Sequence, residues 1–266
     1  MDLSLCSLVS GSTGNCTYVA GGNTRLLVDA GTSAKRITER LCNLGIPAEE
    51  LNGILVTHEH TDHIQGVGVL ARRYNIPIYA THGTWEAMYD KIGNIEKHQI
   101  RVISADDDFY IDDIAVSPFA ISHDANEPVA FRLYYNARSV SVATDLGHAC
   151  KRVKSRLSGS DFLLFESNHD PTLLENNSRY PAVLKKRISG RKGHLSNEAC
   201  AMCLMDLLET GVKNVMLGHL SQQNNTPELA LSTVSDVLES KGVVVGKDVS
   251  ISIADPEISS SLYLIR

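Results

Sequence analysis

The chain has no run of apolar residues long enough to cross a bilayer, which excludes a protein built from membrane-spanning helices. The N-terminus lacks the basic region and the apolar stretch that together make a secretory signal peptide. No low-complexity linker or repeat divides the 266 residues, so we expect a single domain, 1–266, made of two packed halves. These absences predict a cytoplasmic protein without a membrane partner.

Cysteine is also sparse, and positive charge is not in excess. The six cysteines are scattered, mostly in apolar surroundings, and we interpret them as reduced thiols of the core. Cys200 and Cys203 lie on a predicted helix, but no second pair completes a zinc site, so they indicate a buried helix face. The net charge of −6 is not that of a typical nucleic-acid-binding protein. A cluster of basic residues does precede His194. The default interpretation of such a cluster is a solvated helix face.

Apolar runs of strand length alternate with stretches of helical periodicity along the chain. Strands are predicted near residues 3–9, 16–20, 25–29, 53–57, 77–80, 100–104, 114–121, 129–135, 139–144, 161–166, 213–217 and 249–253. Helices are predicted near residues 34–44, 66–74, 83–92, 148–157, 171–188, 196–209 and 227–241. This alternation predicts an α/β fold whose functional residues lie at the ends of strands.

Three imidazoles and the Asp62 carboxylate are concentrated in the run His58-Glu59-His60-Thr61-Asp62-His63. The run follows an apolar stretch, 53–57, that predicts a buried strand. These side chains cannot all face one way on a helix or a strand, so they converge only if the chain turns at the strand end. Imidazoles and carboxylates suit Zn²⁺, Mn²⁺ or iron, whereas the alternative is a polar loop that happens to be rich in histidine.

Four more polar residues each end or follow an apolar run, namely Asp29, His123, Asp145 and His219. With these landmarks in order, the His-x-His-x-Asp-His pattern resembles that of the metallo-β-lactamase fold superfamily. The resemblance implies a four-layer αββα sandwich with two divalent metal ions, zinc or manganese, with iron left open. It covers most of the chain.

The resemblance also implies which residues hold the metals. His58, His60 and His123 would hold the first ion, Asp62, His63 and His219 the second, and Asp145 would bridge them. Asp62 would thereby be essential to catalysis, and Asp29 would accept a hydrogen bond from a ligand histidine. Two metals about 3.5–4 Å apart generate a bridging hydroxide that serves the hydrolysis of phosphodiesters, thioesters or amides equally.

Two other segments bear on the substrate. Glu166 ends a predicted strand and is followed closely by His169, while His194 lies in a glycine-flanked basic loop just before a helix. Such a helix start is suited to binding phosphate. The residues predicted to contact substrate phosphate are therefore Arg191, Lys192, Ser196 and Asn197, together with Asn15 in the loop 10–15, which could instead be a tight glycine turn.

Glu166 and His194 match positions in the phosphodiesterase branch of the superfamily, although Leu195 departs from that branch's His-Ser-Thr pattern. His194 could stabilise phosphorane charge or protonate the leaving oxygen, and Glu166 and His169 are further catalytic candidates. Neither histidine need be catalytic. The alternatives are that His194 is an ordinary polar residue at a helix start and that His169 makes a structural hydrogen bond.

The whole combination resembles the WalJ (YycJ) branch, on the segments 10–16, 56–63, 68–74, 166–170 and 193–197. That resemblance implies a 5′-to-3′ exonuclease on nucleic acid, with DNA favoured over RNA. The interval from Asp145 to His219 is too short for a full inserted nuclease domain. Whether the protein forms a homodimer is left open. The alternatives are a small-molecule hydrolase (a thioesterase, lactonase or small phosphodiesterase) and a regulatory protein on this scaffold.

Overall fold

A computed structural model of the chain describes residues 2–266, which divide into two compact units. The first unit comprises residues up to Ala120 together with 125–139 and 255–266. The second unit comprises residues 121–124 and 140–254. Between residues 2 and 266, no helix combines the length and the apolar character needed to cross a membrane.

The first unit is built on a seven-stranded sheet. In spatial order its strands are β14 (Tyr263–Ile265), β1 (Leu3–Val9), β2 (Cys16–Gly21), β3 (Thr24–Val28), β4 (Gly53–Leu55), β5 (Ile78–Thr81) and β6 (Ile100–Ile103). Neighbours are antiparallel from β14 to β3 and parallel from β3 to β6. The carboxyl ends of β3 and β4 therefore meet at one edge, where Asp29 and the histidine-rich loop follow them.

The same unit holds a second set of strands and four helices. The strands β7 (Phe109–Ile111), β8 (Ile114–Ala120) and β9 (Val129–Tyr135) form an antiparallel ladder. The helices are α1 (Ala34–Asn43), α2 (Thr61–Ile64), α3 (Val67–Tyr74) and α4 (His82–Ile92), with 3₁₀ turns at Ala48–Glu50 and Lys97–Gln99. The α1 helix begins where the Ser33 side chain accepts the Arg36 N–H, and it buries Ile37 and Leu41, one turn apart, in the core.

The second unit contains four neighbouring parallel strands, the first of which begins two residues before the unit does. They are β10 (Arg138–Ala143), β11 (Phe162–Glu166), β12 (Asn214–Gly218) and β13 (Ser250–Ile253). Its helices are α5 (Lys151–Leu157), α6 (Pro171–Asn176), α7 (Ala182–Ile188), α8 (Asn197–Leu208) and α9 (Pro227–Ser240). Because parallel strands end at a common edge, Asp145, Glu166 and His219 are brought together at the carboxyl ends of β10, β11 and β12.

The predicted single helix over 171–188 is wrong, since the structure forms α6 and α7 instead. Asn177 is extended, and Pro181 has no N–H to donate and disfavours a helical residue before it. Three very short elements, α2, β7 and β14, were not predicted. The six cysteines are all free, but Cys42 is exposed and Cys150 half-buried, so the prediction of core thiols is wrong for those two.

Candidate metal centre and its surroundings

The three imidazoles of the histidine-rich loop converge within the first unit. β4 ends at Leu55, and the chain then turns into α2, with His60 as the residue that precedes the helix. The His58 ring centroid lies 4.6 Å from that of His60 and 4.1 Å from that of His63. His58 and His63 are buried, and His60 is half-buried. The turn at the strand end therefore brings together the rings of three histidines that are two to five residues apart in sequence.

Asp29 and Thr57 hold the histidines of this loop in place. The Asp29 Oδ2 atom lies 2.7 Å from His63 Nδ1, and its two oxygens accept the Thr57 N–H and hydroxyl, each at 2.8 Å. The Thr57 hydroxyl also lies 3.0 Å from His58 Nδ1. Burial raises the pKa of Asp29, and the neighbouring His63 opposes that rise. Thr57 was not singled out in the sequence, although it directly precedes the motif.

Backbone hydrogen bonds join three loops around Asp62. The Asn15 N–H donates to the Asp62 carbonyl, and the Gly31 N–H donates to the Asn15 carbonyl, each at 2.8 Å. The Asn15 side chain accepts the Gly11 N–H at 3.0 Å and lies 3.1 Å from His63 Nε2. Asn15 is buried at 5% exposure, so its amide is engaged within the loop, beside a candidate metal ligand.

In the second unit, Asp145 faces two imidazoles. Its Oδ1 atom lies 3.5 Å from His219 Nε2 and 3.7 Å from His123 Nε2. Both Asp145 and His219 have positive φ angles, 57° and 56°, which non-glycine residues adopt at a cost of about 1–3 kcal/mol. The fold thus holds these two side chains in strained positions that point them at one another.

Glu166 connects the candidate ligand His219 with the candidate catalytic residue His194. Its Oε1 atom lies 2.8 Å from His194 Nδ1 and 2.9 Å from His219 Nδ1. Its Oε2 atom accepts the N–H groups of Leu146 and Leu195 at 2.7 and 3.1 Å. Burial by itself would raise the pKa of Glu166, but the two imidazoles outweigh it and lower the pKa to about 2. Glu166 is therefore a buried carboxylate with four hydrogen-bond partners.

The same contacts set the protonation of the nearby histidines. Burial acts to lower the pKa of His194, yet the Glu166 carboxylate prevails and the net pKa is raised. Burial lowers the pKa of His123. Burial also lowers the pKa of His169, to about 4, so that His169 is neutral near pH 7. Of His123, His169 and His194, His194 is therefore the one whose raised pKa favours a role as a proton carrier.

The residues predicted to contact phosphate differ in their placement. Ser196 caps α8 by accepting the Ala199 N–H, and Arg191 and Lys192 are exposed. Asn197 is fully buried, and its amide is hydrogen-bonded to Ser167 and Asn225. Arg191 and Lys192 are therefore the most accessible of these residues, Ser196 is half-buried, and Asn197 is out of reach of a substrate.

Comparison with known proteins agrees with this arrangement. The family described as "Beta-lactamase superfamily domain" matches residues 24–220. The chain is 42% identical over 265 residues to "Exodeoxyribonuclease YycJ" of Bacillus anthracis, covering 100% of both chains. It is 38% identical over 257 residues to "Exodeoxyribonuclease WalJ" of Streptococcus pneumoniae, covering 96% and 95%. The crystal structure of YhfI, a metallo-β-lactamase fold protein from Bacillus subtilis, superposes with a TM-score of 0.72 at 16% identity, covering 98% and 100%.

The chain belongs to the metallo-β-lactamase superfamily, in the YycJ/WalJ family. The resemblance seen in the sequence and the predicted fold class are both confirmed.

The residues of this metallo-β-lactamase superfamily member suit divalent metal ions. Four imidazoles have Nδ1 held by the protein: His58 by Thr57, His63 by Asp29, His123 by the Gly193 carbonyl and His219 by Glu166. Such contacts fix the tautomer in which Nε2 is the ligating atom. Within the second unit, Asp145, Glu166, His194 and His219 each offer a ligand atom within 4.8 Å of the others. A donor set of imidazole nitrogens and carboxylate oxygens suits divalent metal ions.

Proposed function

We propose that this protein is a dinuclear metal-dependent phosphodiesterase that degrades DNA as a 5′-to-3′ exonuclease. The observation that carries the proposal is the shared Glu166 carboxylate, which ties the candidate ligand His219 to the candidate acid His194. The two relatives whose names describe exodeoxyribonucleases match this chain over nearly its full length, which supports DNA as the substrate.

We assign the metal ligands as the superfamily resemblance implies. By that resemblance, His58, His60 and His123 would hold one ion, Asp62, His63 and His219 would hold the other, and Asp145 would be shared by both. The distances of 3.7 Å from His123 Nε2 and 3.5 Å from His219 Nε2 to Asp145 Oδ1 support this shared role for Asp145. Zinc and manganese are the favoured ions because imidazole and carboxylate ligands accommodate both, and iron is a third candidate.

Two bound ions would activate a water molecule and neutralise charge on the phosphodiester. The chain's own residues supply the rest of the chemistry. Glu166 holds His194 through Nδ1 and raises its pKa, so that Nε2–H of a protonated His194 points away from Glu166. His194 can then protonate the leaving oxygen as a general acid. Arg191 and Lys192, both exposed, are placed to attract the phosphate backbone.

A direct test is to strip the protein of metal, reload it with Mn²⁺ or Zn²⁺ and incubate it with end-labelled double- and single-stranded DNA and RNA. Stepwise loss of nucleotides from the 5′ end of DNA, absent in Asp62→Asn, is the expected result. Intact nucleic acid under every metal, with cleavage of a thioester, lactone or small phosphodiester instead, would overturn the exonuclease assignment. Full biological activity of Asp62→Asn would point to a regulatory role.

A further inference from the structure

Three loops of the second unit enclose a group of buried amide and hydroxyl side chains. The loops follow β11, precede α8 and follow β12. The side chains, each at most 8% exposed, are Ser167, Asn168, Asn197, Ser221, Asn224 and Asn225. Buried polar groups destabilise a fold unless they are hydrogen-bonded, so their concentration beside Glu166 and His219 indicates a role that apolar residues could not serve.

Asn168, the second residue after β11, is bonded to both of the other loops. Its N–H donates to the Leu195 carbonyl at 2.9 Å, and its carbonyl accepts the Ser221 N–H at 2.8 Å. Its side-chain amide donates to the His219 carbonyl at 2.8 Å and lies 3.4 Å from His219 Nδ1. This one residue therefore joins the loop before α8 to the loop that carries a candidate metal ligand.

The side-chain contact of Asn168 falls on a strained part of the backbone. His219 has a φ angle of 56°, a conformation that persists in a non-glycine residue only where the surrounding structure holds it. The Asn168 amide bonds to the carbonyl of this strained residue, while Glu166 Oε1 lies 2.9 Å from Nδ1 of its ring. Residues at the end of β11 thus hold both the backbone and the imidazole of His219.

A reciprocal pair of amides holds Asn168 in turn. The Asn225 amide donates to Asn197 Oδ1 at 2.9 Å, and the Asn197 amide donates to Asn225 Oδ1 at 3.0 Å. The Asn225 Nδ2 atom also lies 2.9 Å from the Ser167 carbonyl oxygen and 3.0 Å from that of Asn168. The two amides therefore join the start of α8 and the turn before α9 to the loop that carries Asn168.

We propose that Asn168 is a positioning residue of the metal centre, which holds the backbone of His219 in place for metal binding, and that the Asn197–Asn225 pair acts through Asn168. The proposal rests on the function proposed above, since His219 is assigned there as a ligand. An amide suits this task because it donates and accepts hydrogen bonds at once and adds no charge beside the ligands.

The first test measures the affinity of each variant for Zn²⁺ by competition with a chromophoric chelator, at a temperature where circular dichroism shows the variant to be folded. Asn168→Ala should bind Zn²⁺ about 10- to 100-fold more weakly at one of two sites, as expected when a group that orients a ligand is removed. Asn225→Ala should show a smaller loss. The double variant should be little worse than Asn168→Ala, because contacts that act through one another are not additive. Losses that add in full would overturn the role given to Asn225.

Two control variants separate positioning from stability. Asn214→Ala removes a comparable contact in the same unit, an exposed amide that donates to the Asp161 carbonyl at 3.0 Å, and should bind Zn²⁺ as the wild type does. Val234→Ala, on the buried face of α9, should lower the Tm of the metal-stripped protein without changing the affinity for Zn²⁺.

A second readout uses the metal-stripped proteins and proton NMR. The His219 Nδ1–H that donates to Glu166 should give a downfield resonance, assigned by its absence in His219→Gln. Asn168→Ala should lose or displace this resonance, whereas both controls should keep it. An unchanged resonance or full Zn²⁺ affinity in Asn168→Ala overturns the proposal, and so does an equal loss in either control. Wild-type protein that binds metal but leaves DNA intact would overturn the exonuclease function and not this proposal.

Discussion

At the scale of single residues, two buried carboxylates organise the histidines of the two units. Asp29 holds His63 in the first unit, and Glu166 holds His219 in the second. In each pair the carboxylate accepts from Nδ1 and so directs Nε2 away from itself, which is the arrangement that orients metal-ligating imidazoles. Glu166 differs from Asp29 in that it holds a second imidazole, that of His194.

Glu166→Gln should slow hydrolysis on the order of 100-fold. The substitution removes the negative charge that raises the pKa of His194 and that orients the His194 ring. The substitution keeps the size of the side chain, so the fold should persist. Single-turnover degradation of labelled DNA measures the rate, and metal analysis of the purified protein measures occupancy. Glu209→Gln, an exposed change at the end of α8, is the matched control and should leave the rate unchanged. A rate equal to that of wild type would remove Glu166 from the mechanism.

His169 should make the protein sensitive to acid. Its folded-state pKa is about 4, below the ordinary value of 6.5, so the unfolded chain binds more protons between those two pH values. The free energy of unfolding should therefore fall as the pH drops from 6.5 to 4, by about 3 kcal/mol in total. Urea unfolding of the metal-stripped protein at pH 7 and pH 4.5 should show this loss reduced in His169→Asn. The exposed control His82→Asn should keep the full loss; equal acid sensitivity in both variants would contradict the role of His169.

At the scale of elements, the sequence was a good guide to the places where candidate functional residues follow strands. It was a poorer guide to the fold of the segments between the strands. Asp29, Asp145 and His219 each come just after an apolar run that is long enough to be recognised, and each has a left-handed backbone at that place. The α6–α7 segment was predicted as one helix, although the run Asn176-Asn177-Ser178 and Pro181 are the turn-forming residues at which the structure breaks it. The contacts of Glu166 with two histidines depend on side chains distant in sequence, which no local pattern reveals.

The close approach of the two loops at Gly31 should not tolerate a side chain. A Cβ atom there would lie 1.6 Å from the Asp62 carbonyl oxygen, so the loop that carries Asp62 would have to move. Gly31→Ala should lower the free energy of unfolding by roughly 1–3 kcal/mol or more and reduce metal binding. Chemical unfolding and metal titration of the purified variant measure the two effects.

Gly45→Ala is a suitable comparison for Gly31→Ala. Its Cβ would meet nothing within 4 Å, but its φ is +73°, so alanine there is strained without displacing a ligand loop. It should cost stability yet bind metal as the wild type does. Normal metal affinity in Gly31→Ala would show that the loop around Asp62 adapts and would contradict the predicted displacement.

At the scale of the whole molecule, bound metal should add to the stability of the folded chain, because the proposed ligands are dispersed from His58 to His219 and the unfolded chain cannot gather them. A ligand that binds the folded state stabilises it by about 2.7 kcal/mol when its free concentration is one hundred times its dissociation constant. For a chain of this size that corresponds to a rise in Tm of roughly 5–10 °C. Thermal unfolding of metal-stripped protein before and after addition of Zn²⁺ or Mn²⁺ measures the rise. Asp145→Asn should lose most of it, since the bridging carboxylate would be gone, whereas Asp236→Asn on the exposed face of α9 should keep it. A Tm that no metal changes, in a protein that is folded throughout, would contradict the dinuclear site and with it the proposed chemistry.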